Sequence, residues 1–228
     1  MPPSPLMRVP IHGTALCLAL VFVACSGSKE PPHPSTSVPI SEARKRDNGT
    51  EVTIEGTVTV PPGAFTSALG DEGFALQDAS GGIYVKMSLQ QTFHLGANVR
   101  VTGTLDEQNQ LRILRADPTS VQLLEGSQQA SAKSVDTGSV NESVEGQFIR
   151  ISGAVTQGFQ NDEPYGYRFA LNDGTGEVQV FAHVSAGFDK ASLQALTVGQ
   201  RLSVVGLAAQ YEAAYHVAPR QPSDLGPP

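Results

Sequence analysis

The side chains in this chain that can do catalytic or metal chemistry are few and isolated from one another. None of the histidines has a second histidine or a cysteine at the spacing of a zinc site. No Gly-x-Ser-x-Gly segment is present, so a serine-hydrolase nucleophile is not indicated. The five histidines are His12, His33, His94, His183 and His216. The sequence therefore predicts a protein that is not an enzyme, with no metal centre and no cofactor.

Two features look catalytic but have simpler structural explanations. Gly174-Thr175-Gly176 is like part of a phosphate-binding loop, yet it lacks a following lysine and stands between two predicted strands. Asp78 and Asp173 are a pair of carboxylates, but they occupy equivalent positions in a repeat. Aspartate favours turns because its side chain accepts hydrogen bonds from its own backbone. We expect both features to serve turns.

One segment of the chain occurs twice. Residues 74–85 recur as residues 169–180, at an offset of 95 positions and without a gap. Each copy is an alternating strand, a turn opened by aspartate and containing glycine, and a second alternating strand, which is typical of a β-hairpin. The repeat predicts two copies of one small β domain.

The similarity between the copies continues on both sides of the hairpin. Apolar and polar residues alternate there, which predicts strands with one buried face. These further strands are residues 52–58 and 149–155, residues 95–103 and 198–206, and residues 111–114 and 215–217. Five strands with a loop or short helix between the third and the fourth is the order of an OB barrel.

Particular segments strengthen this prediction. Residues 40–44 and 49–59, Asp173-Gly174-Thr175-Gly176, and the Leu-Thr-Val-Gly-Gln of residues 196–200 resemble the OB-fold modules attached to secreted bacterial nucleases. The resemblance implies an all-β fold of two tandem five-stranded OB-fold Greek-key barrels. It also implies single-stranded nucleic acid as the ligand. The catalytic domain of such nucleases has no counterpart in this chain.

The N-terminus predicts export and a lipid anchor. Residues 14–24 form an apolar run that is too short to span a bilayer. The run ends in Val21-Phe22-Val23-Ala24-Cys25, which resembles the lipobox of bacterial lipoproteins. The resemblance implies a signal peptide over residues 1–24, acylation of Cys25 and anchoring in a membrane, with Ser26 pointing to the outer membrane. The alternative is an ordinary cleaved signal peptide with an incidental cysteine.

Composition divides the rest of the chain. Residues 25–39 are rich in serine and proline and predict a flexible tether. The predicted domains are residues 40–126 and residues 139–228, joined by a linker over residues 127–138. Neither cysteine lies beyond residue 25, so the exported domains contain no disulfide and no thiol nucleophile.

An OB barrel usually binds its ligand on the outer face of strands two and three. Alternation turns Ile83 and Val178 inward, so the residues that follow them face outward. Candidate ligand-binding residues are Tyr84, Lys86, Arg112, Phe159, Tyr165, Arg168, Phe181 and Tyr211. Each aromatic ring among them has the alternative role of plugging a barrel end.

The charge of the chain opposes binding of a polyanion. Of the 15 lysines and arginines only Arg8 precedes Cys25, so the exported chain carries 14 basic against 22 acidic residues. Surfaces that bind phosphates normally show an excess of cations. Two partner classes besides the membrane therefore stay open: single-stranded nucleic acid, which the resemblance implies, and a protein or glycan of the cell envelope. The sequence leaves the oligomeric state open.

Overall fold

A computed structural model describes Met1 and residues 36–228 of the protein. Residues 2–35, which contain the rest of the predicted signal peptide, Cys25 and most of the tether, lie outside the described residues. The first sheet contains β1 (Glu51–Val60), β2 (Phe74–Gln77), β3 (Gly82–Lys86), β4 (Ala97–Gln108), β5 (Leu111–Arg115) and β6 (Val121–Ser127). The second contains β7 (Lys133–Ser134), β8 (Phe148–Asp162), β9 (Gly166–Asn172), β10 (Glu177–His183), β11 (Arg201–Tyr211), β12 (Ala214–Ala218) and β13 (Leu225–Gly226). Two short helices are α1 (Ile40–Ala43) and α2 (Lys190–Gln194).

The first sheet closes into a five-stranded barrel. Its strands pair in the order β1, β2, β3, β5, β4, and β4 pairs back onto β1. Strand β6 attaches to β4 outside this cycle. The barrel core is apolar because one side chain in two points inward from each strand, and Ile54, Phe74, Leu76, Ile83 and Val85 are among its fully buried members. The predicted all-β fold with a closed five-stranded barrel is confirmed.

The second sheet repeats this cycle of pairings. Its strands run in the order β8, β9, β10, β12, β11, and β11 pairs back onto β8. The two halves also resemble each other in elements outside the segment that recurs in the sequence. A 3-10 turn with proline at its start precedes β6 at Pro118–Ser120 and precedes β13 at Pro222–Asp224. Both added strands pair with the fourth strand of their own barrel.

The repeated aspartates hold both the hairpin turn and the segment before the barrel. Asp78 accepts hydrogen bonds from the backbone N–H groups of Ser80 and Gly81, and its second oxygen accepts from the N–H of Ile40 at 2.9 Å. Asp173 likewise accepts from the N–H of Thr175 and, at 3.0 Å, from that of Thr137. Hydrogen bonds from the hydroxyls of Thr175 and Thr137, with these backbone bonds, hold the pKa of Asp173 well below its usual range. The aspartates are turn residues, as predicted, and also join each barrel to its preceding segment.

The two barrels pack against each other through a third apolar cluster, which we call the inter-barrel core. Its buried residues are Val60, Phe65, Ala75, Tyr84, Leu111, Ile113, Leu207, Ala209 and Ala218. Those from the first barrel lie at the end of β1, in the loop after it, and on the outer side of β2, β3 and β5, whereas those from the second lie on β11 and β12. Burial of this apolar surface, at about 25 cal/mol per Å², is the main force that holds the barrels together.

Polar groups complete the contact between the barrels. Glu145, whose side chain is fully buried, pairs with Arg44 at 3.0 Å and accepts the backbone N–H of Arg112 at 2.9 Å. Burial raises the pKa of Glu145. The backbones of Gly82 and Gly146 touch, so that a Cβ on Gly82 would overlap the Gly146 carbonyl oxygen. Gly82 thus permits a close approach that the equivalent Glu177 of the second copy does not need.

Candidate ligand-binding surface

The outer face of strands two and three is closed in the first barrel. Tyr84 points outward from its barrel, as alternation predicted, but it lies in the inter-barrel core, where the loop after β1 also covers it, and its exposed fraction is 0%. The Tyr84 hydroxyl donates to the Phe65 carbonyl oxygen or to Asp71, each 2.9 Å away. Burial and the Asp71 carboxylate raise the pKa of Tyr84 well above its usual value. Tyr84 therefore has no exposed surface to offer a ligand, in contrast to its predicted role.

Asp71 organises the loop that covers part of this contact. Its buried carboxylate accepts hydrogen bonds from the N–H and hydroxyl of Ser67 and from the N–H groups of Gly73 and Met87, besides its contact with Tyr84. A carboxylate with this many donors is well compensated for its burial. The loop over residues 61–73, between β1 and β2, is consequently fixed in one shape. Sequence analysis did not single out Asp71.

This loop reaches the second barrel through two residues. The Phe65 ring lies edge-on to Tyr84, 5.3 Å between centroids, and 6.4 Å from the rings of His183 and His216. The Thr66 hydroxyl is 2.9 Å from Nε2 of His183. Residues of the first barrel thereby lie against the outer side of β10 and β12.

The two predicted cations of the first barrel do not form a patch. Lys86 extends from the outward side of β3 and donates to Gln108 at 2.6 Å. The Arg112 side chain alternates with Leu111 and Ile113 along β5 and so points to the other side of the sheet. It is largely buried, and its guanidinium donates to the Asn48 side chain and to the Arg46 carbonyl oxygen. Arg112 holds the loop before β1, which accounts for its burial.

The equivalent face of the second barrel is only partly covered: the first barrel reaches it at His183, at the end of β10, whereas Gln179 and Phe181 are partly exposed. In-register pairing places outward side chains in two rows across β8, β9 and β10, which we call the open surface. One row is Gln160, Arg168 and Phe181, and the other is Gln157, Ala170 and Gln179. Two register shifts in β8, between Val155 and Gln157 and between Gln157 and Gln160, bring the glutamines into these rows.

Two of the predicted site residues, Arg168 and Phe181, face each other at one end of the open surface, and the backbone of Tyr165 is joined to the same end. Arg168 and Phe181 are directly opposite each other on β9 and β10, and both are partly exposed. Tyr165, in the turn between β8 and β9, is 51% exposed, and its carbonyl oxygen accepts the N–H of Val184, just beyond β10. Asp162 pairs with Arg168 through two contacts of 2.8 and 2.5 Å. This end therefore offers the Phe181 ring beside a cation whose charge Asp162 neutralises, with the exposed Tyr165 in the adjoining turn.

The other two predicted aromatics lie elsewhere. Phe159 packs against the core of the second barrel, 5.5 Å from the Tyr167 ring, which matches its alternative role as a barrel-end plug. Tyr211 is 56% exposed but lies opposite Ala214, where β11 turns into β12. The adjacent Glu212 N–H donates to the carbonyl oxygen of Asn109, in the turn between β4 and β5 of the first barrel. Tyr211 thus stands beside the first barrel and not beside Phe181.

His216 is a buried imidazole at the border between the open surface and the inter-barrel core. It lies opposite Gln179 in the register of β10 and β12, and its ring is 5.7 Å from that of Phe181. Its Nε2 is buried without a hydrogen-bond partner. Burial, with a smaller contribution from the charge of Arg168, lowers the pKa of His216 to about 4. The imidazole is therefore neutral at pH 7.

Among residues 36–228, no helix is both long and apolar enough to cross a membrane. In the same part of the chain, no group of three or more histidine, cysteine, aspartate or glutamate side chains is placed to hold a metal ion.

Comparisons with known proteins give only distant likenesses. No family model matches the sequence, and no curated protein matches it. One similar solved structure is the p204 HINb domain, with 12% identity, coverage of 76% of this chain and 95% of that one, and a TM-score of 0.40. A murine DNA-binding protein bound with double-stranded DNA has 12% identity, coverage of 73% and 90%, and a TM-score of 0.42. A replication protein A heterotrimer bound to single-stranded DNA has 19% identity, coverage of 42% and 72%, and a TM-score of 0.29. At such identities and TM-scores the likeness assigns no function to this chain.

Proposed function

We propose that this protein is a non-enzymatic binding module of the cell envelope, built from two OB-fold barrels with a single ligand-binding face. The observation that carries the proposal is the contrast between equivalent faces. The face of β2 and β3 is buried in the inter-barrel core, whereas the face of β8, β9 and β10 keeps Gln157 and Gln160 exposed and Arg168, Gln179 and Phe181 partly exposed. OB folds use this face for oligonucleotides and oligosaccharides. The first barrel then acts as a support for the second.

The resemblance to nuclease-associated OB modules implies single-stranded nucleic acid as the ligand. Tyr165 and Phe181 supply rings on which bases can stack, and Arg168 supplies a cation beside them. Stacking contributes about 1–3 kcal/mol per base in proteins that bind single strands. Such a site does not include the three candidate residues of the first barrel. Tyr84 is buried, Lys86 is bonded to Gln108, and the Arg112 guanidinium is bound to the loop before β1.

Fluorescence anisotropy with a labelled oligo-dT tests this ligand. Binding should weaken as salt rises. Tyr165→Ala and Phe181→Ala should each lower the affinity by roughly 5- to 150-fold, which corresponds to the loss of one stacked base. Tyr211→Ala is the matched control, because the Tyr211 side chain is about as exposed as that of Tyr165 (56% against 51%) but lies away from Phe181. An absence of binding at low salt would exclude nucleic acid.

A protein or glycan ligand is the second candidate. It is favoured by the charges around the open surface, where Asp162 neutralises Arg168 and Glu163 pairs with Lys190 at 3.0 Å. Phosphate groups would have to compete with these carboxylates. An uncharged ligand would not compete with the Asp162 and Glu163 carboxylates.

The location in the envelope is part of the proposal and rests on the sequence alone. Acylation of Cys25 would anchor the protein to the outer membrane, with residues 26–39 as its tether. Labelled palmitate should be incorporated into the wild-type protein in its bacterial host and not into Cys25→Ser. Incorporation that persists in the variant would contradict the anchor, and Cys17→Ser is the control for the other cysteine.

A further inference from the structure

The polar side chains of the open surface are mostly amides. Gln157 and Gln160 come from β8 and Gln179 from β10, so amides stand on both sides of β9. Gln160 donates to Gln157 at 3.0 Å, which fixes one of these pairs. The Gln179 side chain makes no hydrogen bond to any of the residues that the structure describes. Each amide carries two donor hydrogens and an acceptor oxygen. The surface can thus both donate and accept hydrogen bonds along its length.

The charged groups around these amides are already compensated. Arg168 is held by both oxygens of Asp162 and Lys190 by Glu163. Glu177, at the far end of β10, accepts hydrogen bonds from Thr156 at 2.7 Å and from Gln157 at 2.5 Å. With three carboxylates and two cations, this region has a net negative charge. A phosphodiester chain would meet repulsion here and would release few counterions.

The next cation around the second barrel does not change this balance. Arg201 begins β11 and pairs in register with Ala154, on the far side of β8 from β9 and β10. It lies outside the two rows of the open surface.

The remaining chemistry fits a ligand with hydroxyl groups and no charge. Neighbouring hydroxyls of a sugar present donors and acceptors together, which amides and carboxylates can match in pairs. The apolar face of a sugar ring can lie on Tyr165 and Phe181, as apolar surface does on aromatic rings generally. We infer that the open surface binds an uncharged polysaccharide chain. This inference rests on the proposed function, since it names the ligand of the same face.

The test uses the exported chain, residues 26–228, in two binding assays with polysaccharides. Isothermal titration and affinity electrophoresis with soluble β-glucan, mannan and xylan should detect binding to at least one polysaccharide. The dissociation constant should stay within about twofold between low and high salt, because no ion pair forms. Gln179→Ala and Tyr165→Ala should each weaken binding about tenfold, the size expected for one hydrogen bond or one stacked ring.

Matched controls separate a lost contact from a lost fold. Gln129→Ala removes an exposed amide in the linker, and Tyr211→Ala removes an exposed ring away from the open surface. Neither should change the affinity, and all four variants should melt within a few degrees of the wild type. Polysaccharide binding that is unchanged in both Gln179→Ala and Tyr165→Ala would overturn the inference.

The oligo-dT titration also distinguishes a failure of the polysaccharide inference from a failure of the proposed binding module. Salt-sensitive binding of oligo-dT without binding of any polysaccharide would overturn the inference and leave the proposed binding module standing. Binding of neither polymer would overturn the inference and remove the support for a nucleic-acid or polysaccharide ligand together. Salt-insensitive polysaccharide binding that depends on Gln179 would support both.

Discussion

The two barrels have the same cycle of strand pairings but use the same face for different purposes. Tyr84 of the first copy corresponds to Gln179 of the second, and Lys86 corresponds to Phe181. Tyr84 is buried between the barrels, whereas Gln179 and Phe181 are partly exposed. The difference shows that duplication kept the inward-facing residues of the scaffold and left the outward-facing ones free to change.

The contrast between Tyr84 and Gln179 predicts the largest effect. Tyr84→Ala removes a ring from the inter-barrel core and leaves Asp71 without one of its donors. We expect a loss of about 3–5 kcal/mol in the free energy of unfolding. Gln179→Ala, at the equivalent position, should change it by no more than about 0.5 kcal/mol. Urea denaturation of both variants measures the difference. Comparable losses at the two positions would contradict the conclusion that Tyr84 is buried between the barrels while Gln179 is not.

The pH dependence of stability should reveal His216 next. An unperturbed histidine has a pKa of about 6.5, and burial lowers that of His216 to about 4. The folded state therefore binds fewer protons than the unfolded state between these values. Stability present above pH 6.5 is lost as the pH falls toward 4, by up to about 3 kcal/mol.

His216→Phe isolates this contribution. Its free energy of unfolding should fall less than that of the wild type between pH 6.5 and pH 4, whereas the exposed His94→Gln should follow the wild type. The buried Glu145 acts in the opposite direction, because burial raises its pKa, but it is common to all three proteins and cancels in the comparison. Identical pH profiles for wild type and His216→Phe would show that the imidazole is not buried.

The turn aspartates should give smaller and equal effects. Asp78→Ala and Asp173→Ala each remove hydrogen bonds to the turn and to the segment before the barrel. We expect each to lower the free energy of unfolding by about 1–2 kcal/mol. Thermal melting of the two variants tests whether the copies share this device, and a large effect at only one aspartate would argue against it.

The smallest effect on stability concerns the open surface itself. Asp162→Asn frees Arg168 from an exposed ion pair, which should change the free energy of unfolding by less than about 1 kcal/mol. If the surface contacts phosphate, the plot of log affinity for oligo-dT against log salt should steepen by about 0.7. Polysaccharide affinity should show no such salt slope. The pair of titrations thus reports the charge preference of the open surface directly.

Sequence patterns predicted the barrels well because the signals are local. A period of two assigns each strand residue to one side, and Ile83, Val85, Val178 and Val180 are all in the barrel cores as expected. The register of β8 escaped prediction because its two shifts insert extra residues. Gln157 and Gln160 therefore could not be placed from alternation alone.

A signal for the inter-barrel contact was nevertheless present in the sequence. Most strands of a small barrel alternate, but β5 contains Leu111, Ile113 and Leu114, and β11 runs from Val204 to Ala209 with only apolar residues and glycine. Such runs are typical of strands buried on both faces. Strands β5 and β11 both contribute to the inter-barrel core.

The sequence by itself determined two similar β units, the inward side of their strands and the turns that join them. These follow from the chemistry of neighbours a few residues apart. Only the tertiary structure decided which outward face remains available, because Tyr84 is buried in a cluster whose other members include Leu207, Ala209 and Ala218, more than 120 residues away along the chain. An outward side chain is defined by its own strand, but whether it meets water or another barrel is set by packing across the whole chain.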